Sequence, residues 1–144
     1  MKMIKKLFAP GNVSTATSAG LLVLRAFFGF GMLFLHGWGK LKTFSATAPN
    51  FPDPMGVGHS TSLGLTVFAE VLAAALLGLG LFSRAAAAVL AFEMAVAFTM
   101  IHKMAFSGQM SGEMAFAYLG AYLTLLLAGP GRFSLDLPLF GKGK

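Results

Sequence analysis

Arg25 to Lys40 reads RAFFGFGMLFLHGWGK. It continues an almost wholly apolar run that begins at Leu21, and it sets an arginine inside a helix of hydrocarbon length before closing on His36, Trp38 and Lys40. An arginine in hydrocarbon is costly unless something acidic meets it. At 100° per residue the spacings of 4, 3 and 4 put Arg25, Gly29, Met32 and His36 on one side of the helix. That side is expected to face protein and not lipid.

Composition agrees with a membrane setting. The chain has 144 residues, 56% hydrophobic and 11% charged, with mean hydropathy +0.76. Soluble domains average about 25% charged residues. The formal charge of +6 resides in tails and loops, with no basic run and no polar domain, so nucleic acid is not an expected partner. The chain has no cysteine, which excludes disulfides, thiolate nucleophiles and iron–sulfur clusters held by its own thiolates.

Outward from the first span, taken as about residues 18–36, the chain yields three more. Residues 63–82 carry Glu70, residues 85–101 carry Glu93, and residues 113–127 begin at Glu113. Each is near the ~20 residues that cross a ~30 Å hydrocarbon core, the fourth being somewhat short. Ser14 or Ser18 is a candidate N-cap after the Pro10-Gly11-Asn12 breaker. Basic residues before an apolar run also suit a secretion signal. This run is too long for one, holds Arg25 and lacks a small-residue cleavage site, so an uncleaved span is expected. In the long segment 40–62, Pro49, Pro52, Pro54, Gly56 and Gly58 rule out a regular helix through the centre. Phe44, Phe51, Met55 and Val57 make it too apolar for a free linker, so it is expected to fold back over one end of the bundle. Ser83-Arg84 reads as a tight turn, and Gly129-Pro130-Gly131 ends the fourth span. The fold class is therefore all-α, one four-span up-down membrane bundle over residues 1–144.

Lys2, Lys5, Lys6, Arg84, Arg132, Lys142 and Lys144 lie on the side of the termini, and Lys40, Lys42 and Lys103 on the other. This bias places both termini in the cytoplasm and the long loop outside, in a multi-pass protein of the inner (cytoplasmic) membrane.

With the spans centred near residues 27, 72, 93 and 120, Arg25, Glu70 and Glu93 fall within about three residues, roughly 5 Å, of the midplane. Three ionisable groups on three helices at one depth read as a catalytic centre. One carboxyl would hold a proton beside another pinned by Arg25, an arrangement suited to donating and accepting protons. A clamp that only sets helix register explains the same residues equally well. His36, Lys40, His102 and Glu113 gather at the outer ends and are the ligand-binding candidates, with His59 in the covering loop and Trp38 and Lys103 as interfacial anchors. Glu113 shares an α-helical face with Ala117, Gly120 and Thr124, a small, polar stripe suited to lining a pocket. His36 lies about 20° round from Arg25 and about 16 Å further along, making the two groups opposite ends of one cavity. His102, nine residues after Glu93, joins only if the third helix ends or unwinds before it.

Neither an HExxH spacing nor a CxxCH motif is present, and no metal or haem site is assigned. A quinone or another small aromatic suits these groups better: a histidine or lysine binds an oxygen, the wall is apolar, and acids exchange protons. Met94, Phe98, Met100, Met104 and Phe106 read as packing.

The motifs together resemble the DoxX/DoxD-like family of small four-span membrane proteins, from about Leu21 to Asp136. The likeness lies in LRAFFGFGMLFLHGWGKL, in AEVLAAALLGLGLFSRAAAAVLAFEMA, in His102 after the third span and in the closing GPGRFSLD. The resemblance carries over Arg25, His36, Gly37, Lys40, Glu70, Arg84 and the Gly129-Pro130-Gly131 turn. It implies a membrane location and, for some members, quinone-dependent oxidoreduction, either as subunits of thiosulfate:quinone oxidoreductase or as membrane partners of soluble redox-defence enzymes. Three readings are open. The first is a membrane component of a redox system that binds a quinone-like molecule beside a redox partner protein. The second is a non-catalytic subunit or scaffold. The third is a small-molecule transporter, which with four spans would require an oligomer.

Overall fold

A computed structural model describes residues 13–141; Lys2, Lys5, Lys6, the Pro10-Gly11-Asn12 breaker, Lys142 and Lys144 lie outside the described residues. Ser14 is the N-cap of the first helix, its hydroxyl accepting from Thr17 N at 3.1 Å. From there α1 runs over Thr15–Lys42, 28 residues, or about 42 Å at 1.5 Å per residue. It outruns a ~30 Å hydrocarbon core by about two turns. The expected span 18–36 is therefore only its middle.

After Thr43 come one helical turn, α2 (Phe44–Thr47), and a 3₁₀ turn (Ala48–Asn50), then irregular backbone over 51–58. The long helices α3 (His59–Leu79) and α4 (Ser83–Ile101) come next, then the shorter apolar α5 (Glu113–Ala128) and a last turn, α6 (Asp136–Phe140). The described residues are thus all-α, with three helices long and apolar enough to cross a membrane and a shorter fourth. The turn expected at Ser83-Arg84 sits earlier. Gly80 leaves α3 at φ 73°, Phe82 adopts φ 48°, and Ser83 already begins α4. Asp136 fixes this geometry from outside, accepting from Phe82 N at 2.7 Å and Ser83 N at 2.9 Å. It satisfies donors that a helix start leaves open.

Helices α1 and α3 meet backbone to backbone and run antiparallel. A Cβ on Gly29 would lie 2.7 Å from Gly78 N, and one on Gly37 would lie 2.6 Å from the Glu70 carbonyl oxygen. Small residues permit such approach, and in lipid close packing is what holds helices together. Helices α4 and α5 complete the core, where Leu77, Leu90, Tyr122 and Leu125 are buried. Phe27, Leu35 and Leu127, 74%, 76% and 78% exposed, point away from it.

All three long helices loosen into π turns, at Leu33–Gly37, Phe68–Ala73 and Ala97–Ile101. Each adds a residue to its turn and rotates the rest of its helix. The buried line of α1 runs Ser18, Leu21, Arg25, Gly29, Met32 and then Gly37, a last step of five. His36, expected on the face of Arg25, is displaced from it by that extra residue.

Candidate functional site

Gly37 lets the backbone of Glu70 approach α1, and Lys40, three residues on, reaches the carboxylate. Its Nζ lies 2.5 Å from Oε1 and 2.6 Å from Oε2. The Glu70 side chain is 5% exposed and that of Lys40 29%. On α4, Glu93 turns a carboxyl toward the same charges. Both of its oxygens are buried and neither has a hydrogen-bond partner. The three groups line a cavity of about 340 Å³ between α1, α3 and α4. Leu65, Phe68, Val89, Phe92, Val96 and Ile101 form its apolar wall, and Phe51, Pro52, Pro54 and Met55 close it from above. These four residues come from the long segment expected to fold back over one end of the bundle.

Asp53 holds the roof. Its carboxylate accepts from Val57 N (3.0 Å), Gly58 N (2.7 Å) and the Ser62 hydroxyl (2.6 Å). His59 Nδ1 donates to the Phe51 carbonyl at 2.5 Å. The Ser62 hydrogen bond first, then those of Gly58 and Val57 and the nearby His59, hold the Asp53 carboxyl below its ordinary value.

Arg25 does not meet Glu70 or Glu93, contrary to the expectation of one charged centre. It donates from Nε to the Gly78 carbonyl (3.4 Å) and from Nη1 to the Pro130 carbonyl (2.6 Å), and Nη2 donates to the Phe133 carbonyl. Asp136 is the acid whose charge acts on it. Arg25 precedes Gly37 by twelve residues, about 18 Å along the helix, so it lies well below the Lys40–Glu70 level. The register of α1 against α3 is the reason: Gly37 meets Glu70 and Gly29 meets Gly78, so residue 25 lies at the end of α3 where the carboxy-terminal segment folds back.

Of the expected outer cluster, only Lys40 lines the cavity. His36 stands edge-on to Tyr118, with ring centroids 5.9 Å apart. His102 braces the loop between α4 and α5, its Nδ1 donating to the Met110 carbonyl at 3.0 Å. Glu113 is exposed with Ala117, Gly120 and Thr124, so that stripe faces away from the bundle and does not line this cavity. Arg84 caps α5, donating to the Leu126 (2.5 Å) and Leu127 (2.9 Å) carbonyls. Sequence reasoning passed over Asp53 and Asp136. The signal for Asp53 was its place between two prolines, where aspartate commonly folds a turn onto its own side chain.

The sequence model of the DoxX family matches residues 20–103, more than half of the chain. The chain belongs to the DoxX family. A Haemophilus influenzae protein described as uncharacterized is 34% identical over 120 residues, covering 77% of this chain and 84% of that protein. No solved structure matches the chain. As a DoxX protein with long apolar helices it is a multi-pass membrane protein. The matched segment contains Lys40, Glu70, Glu93 and the roof, and ends before Glu113 and the carboxy-terminal residues that hold Arg25.

Proposed function

We propose that this DoxX protein is a membrane component of a redox system and that its Lys40–Glu70–Glu93 cavity holds a quinone-like molecule. Glu93 carries the reading: a carboxyl with both oxygens buried and unpartnered, in a cavity that also contains an ion pair. An unpartnered buried polar group costs about 1–3 kcal/mol, so its retention favours a ligand over a structural purpose. Lys40 and Glu70 neutralise each other. Glu93 then belongs there as the neutral acid, with an O–H to donate. A ligand oxygen between Glu93 and Lys40 would accept from both, while Glu70 keeps the ammonium oriented. The apolar wall and the roof exclude water, which strengthens both contacts. When bound, a quinone supplies two-electron, two-proton carrier chemistry. Glu93 would hold and return one of the two protons, while the other proton and both electrons would come from the redox partner protein and its substrate.

The proposed arrangement is four crossings with both termini cytoplasmic and the roof outside. Arg25, held at the inner end, joins the seven basic residues already assigned there, against Lys40, Lys42 and Lys103 outside. The test is the organic extract and absorption spectrum of detergent-purified protein beside its Glu93→Gln variant. The wild type is expected to carry or take up quinone, and the variant to fold equally well without it. If the wild type takes up none, the scaffold reading replaces this one. A lipophilic cation held by Glu93 would move it to transport.

A further inference from the structure

We infer that the cavity opens sideways into the bilayer between α3 and α4, and that its ligand is a tailed, lipid-dissolved molecule whose ring enters while its chain stays in lipid. For the ring this rests on the reading above; the tail, the route and the residues at the mouth go beyond it. On the α1 side the cavity is shut by the close approach of Gly37 to Glu70 and by the Lys40 bridge. Leu65 and Phe68 on α3 and Phe92 on α4 line the cavity, yet they are 49%, 50% and 60% exposed. Side chains that face both a cavity and the outside of the protein form its mouth. These three are wholly apolar and sit within spanning helices, so the mouth faces acyl chains.

Met55 on the roof is also 42% exposed, which makes the roof the competing route. The roof is pinned by the Asp53 and His59 hydrogen bonds. The side mouth is bordered by Leu65, Phe68 and Phe92, whose apolar side chains make no hydrogen bonds.

The charged groups of the cavity are Lys40, Glu70 and Glu93, with the Ser62 and Thr66 hydroxyls as its other polar side chains. The mouth residues Leu65, Phe68 and Phe92 are apolar, as suits a molecule with a polar head and an apolar tail. The volume of about 340 Å³ is near the low end of the ~300–1,000 Å³ that ligand sites span, so it accommodates a ring and not a long chain. The charges exclude a phospholipid head. Among the described residues lining the cavity Lys40 is the one cation, and Glu70 already holds it. With no free cation among these residues to meet a phosphate, the cavity suits an uncharged, oxygen-bearing ring that accepts from Glu93.

The experiment uses the protein in phosphatidylethanolamine–phosphatidylglycerol vesicles and a benzoquinone carrying a diazirine early in a decyl tail. The tail-less benzoquinone serves as competitor, and labelled peptides are mapped by mass spectrometry. Label at Leu65, Phe68 or Phe92 that the competitor removes supports the portal. Removable label on Phe51 to Met55 overturns it and leaves the cavity reading standing. Label that the competitor cannot remove overturns both. A second measurement needs no ligand, because the chain has no cysteine of its own. Spin labels on Phe92→Cys and, from the facing helix, Leu65→Cys should be several-fold more accessible to oxygen than to a nickel chelate. The reverse ratio at both positions overturns the portal whatever the ligand.

Discussion

Glu93 contributes nothing visible to the fold, since its carboxyl oxygens are buried and unpartnered. Glu93→Leu fills similar space without that burden, and it is expected to raise stability by about 1–3 kcal/mol while abolishing quinone binding. Thermal unfolding in detergent beside a binding titration reads both; a destabilised Glu93→Leu protein would show that the carboxyl has a structural partner. Lys40 and Glu70 behave differently because they bond each other at 2.5 Å. Removing either one should cost an amount between the ~0–1 kcal/mol of an exposed pair and the ~3–5 kcal/mol of a fully buried one. The double variant Lys40→Met/Glu70→Leu should regain most of that loss and still bind no quinone. Strictly additive losses would mean that the two side chains do not interact.

Among the elements, the seam between α1 and α3 and the roof above them position the site. A methyl group on Gly37 would press on the Glu70 carbonyl at 2.6 Å. Gly37→Ala should therefore force the helices apart, lower stability by about 1–3 kcal/mol and weaken quinone binding, since Lys40 then loses its register with Glu70. An alanine variant with wild-type unfolding and binding would remove Gly37 from this role. The roof should respond to acid. Asp53 has its carboxyl held below the ordinary value, first by the Ser62 hydroxyl. A group depressed in the folded state stabilises above its unfolded value, about 3.9 for aspartate, and that stabilisation disappears as pH falls through the folded value. Hydrogen exchange over residues 51–58 should thus be slow at neutral pH relative to its intrinsic rate and lose protection below about pH 4. Asp53→Ala should lack that protection at every pH, with the long helices unchanged. Equal protection in the variant would show that the roof is held by other contacts.

For the molecule as a whole, Arg25 joins α1, the end of α3 and the carboxy-terminal segment through three carbonyls. Pairing with Glu70 and Glu93 would have made the loss in Arg25→Ala milder in acid. Carbonyls do not titrate, so the loss should now be equal at pH 5 and pH 8, at about 1–3 kcal/mol for each buried acceptor left unpaired. Arg25→Lys should not restore it, because an ammonium lacks the guanidinium fork that reaches several acceptors at once. A pH-dependent loss in that range would show that carboxylate charge, from Asp136 or another acid, holds Arg25 more than these carbonyls do. Reporter fusions after Lys144 and within residues 43–58 should give opposite signals, cytoplasmic and external. The same signal from both would overturn the proposed arrangement.

The sequence by itself determined the membrane class and the long apolar helices with a shorter fourth, and it singled out Lys40, Glu70 and Glu93, which line one cavity. A bilayer imposes length and composition on each segment separately, and both can be read along one dimension. Which charges meet was decided only in three dimensions. Arg25 left the centre because Gly29 meets Gly78 and Gly37 meets Glu70, a register of α1 against α3 that no apolar run contains. His36 left the buried face because a π turn adds a residue that the 3.6-residue period does not contain. Glu113 turned outward because α5 packs through Ala115, Ala121, Tyr122 and Leu125 on its other side. Lys40 found Glu70 because two backbones touch at Gly37, and that contact sets the depth of α1 against α3.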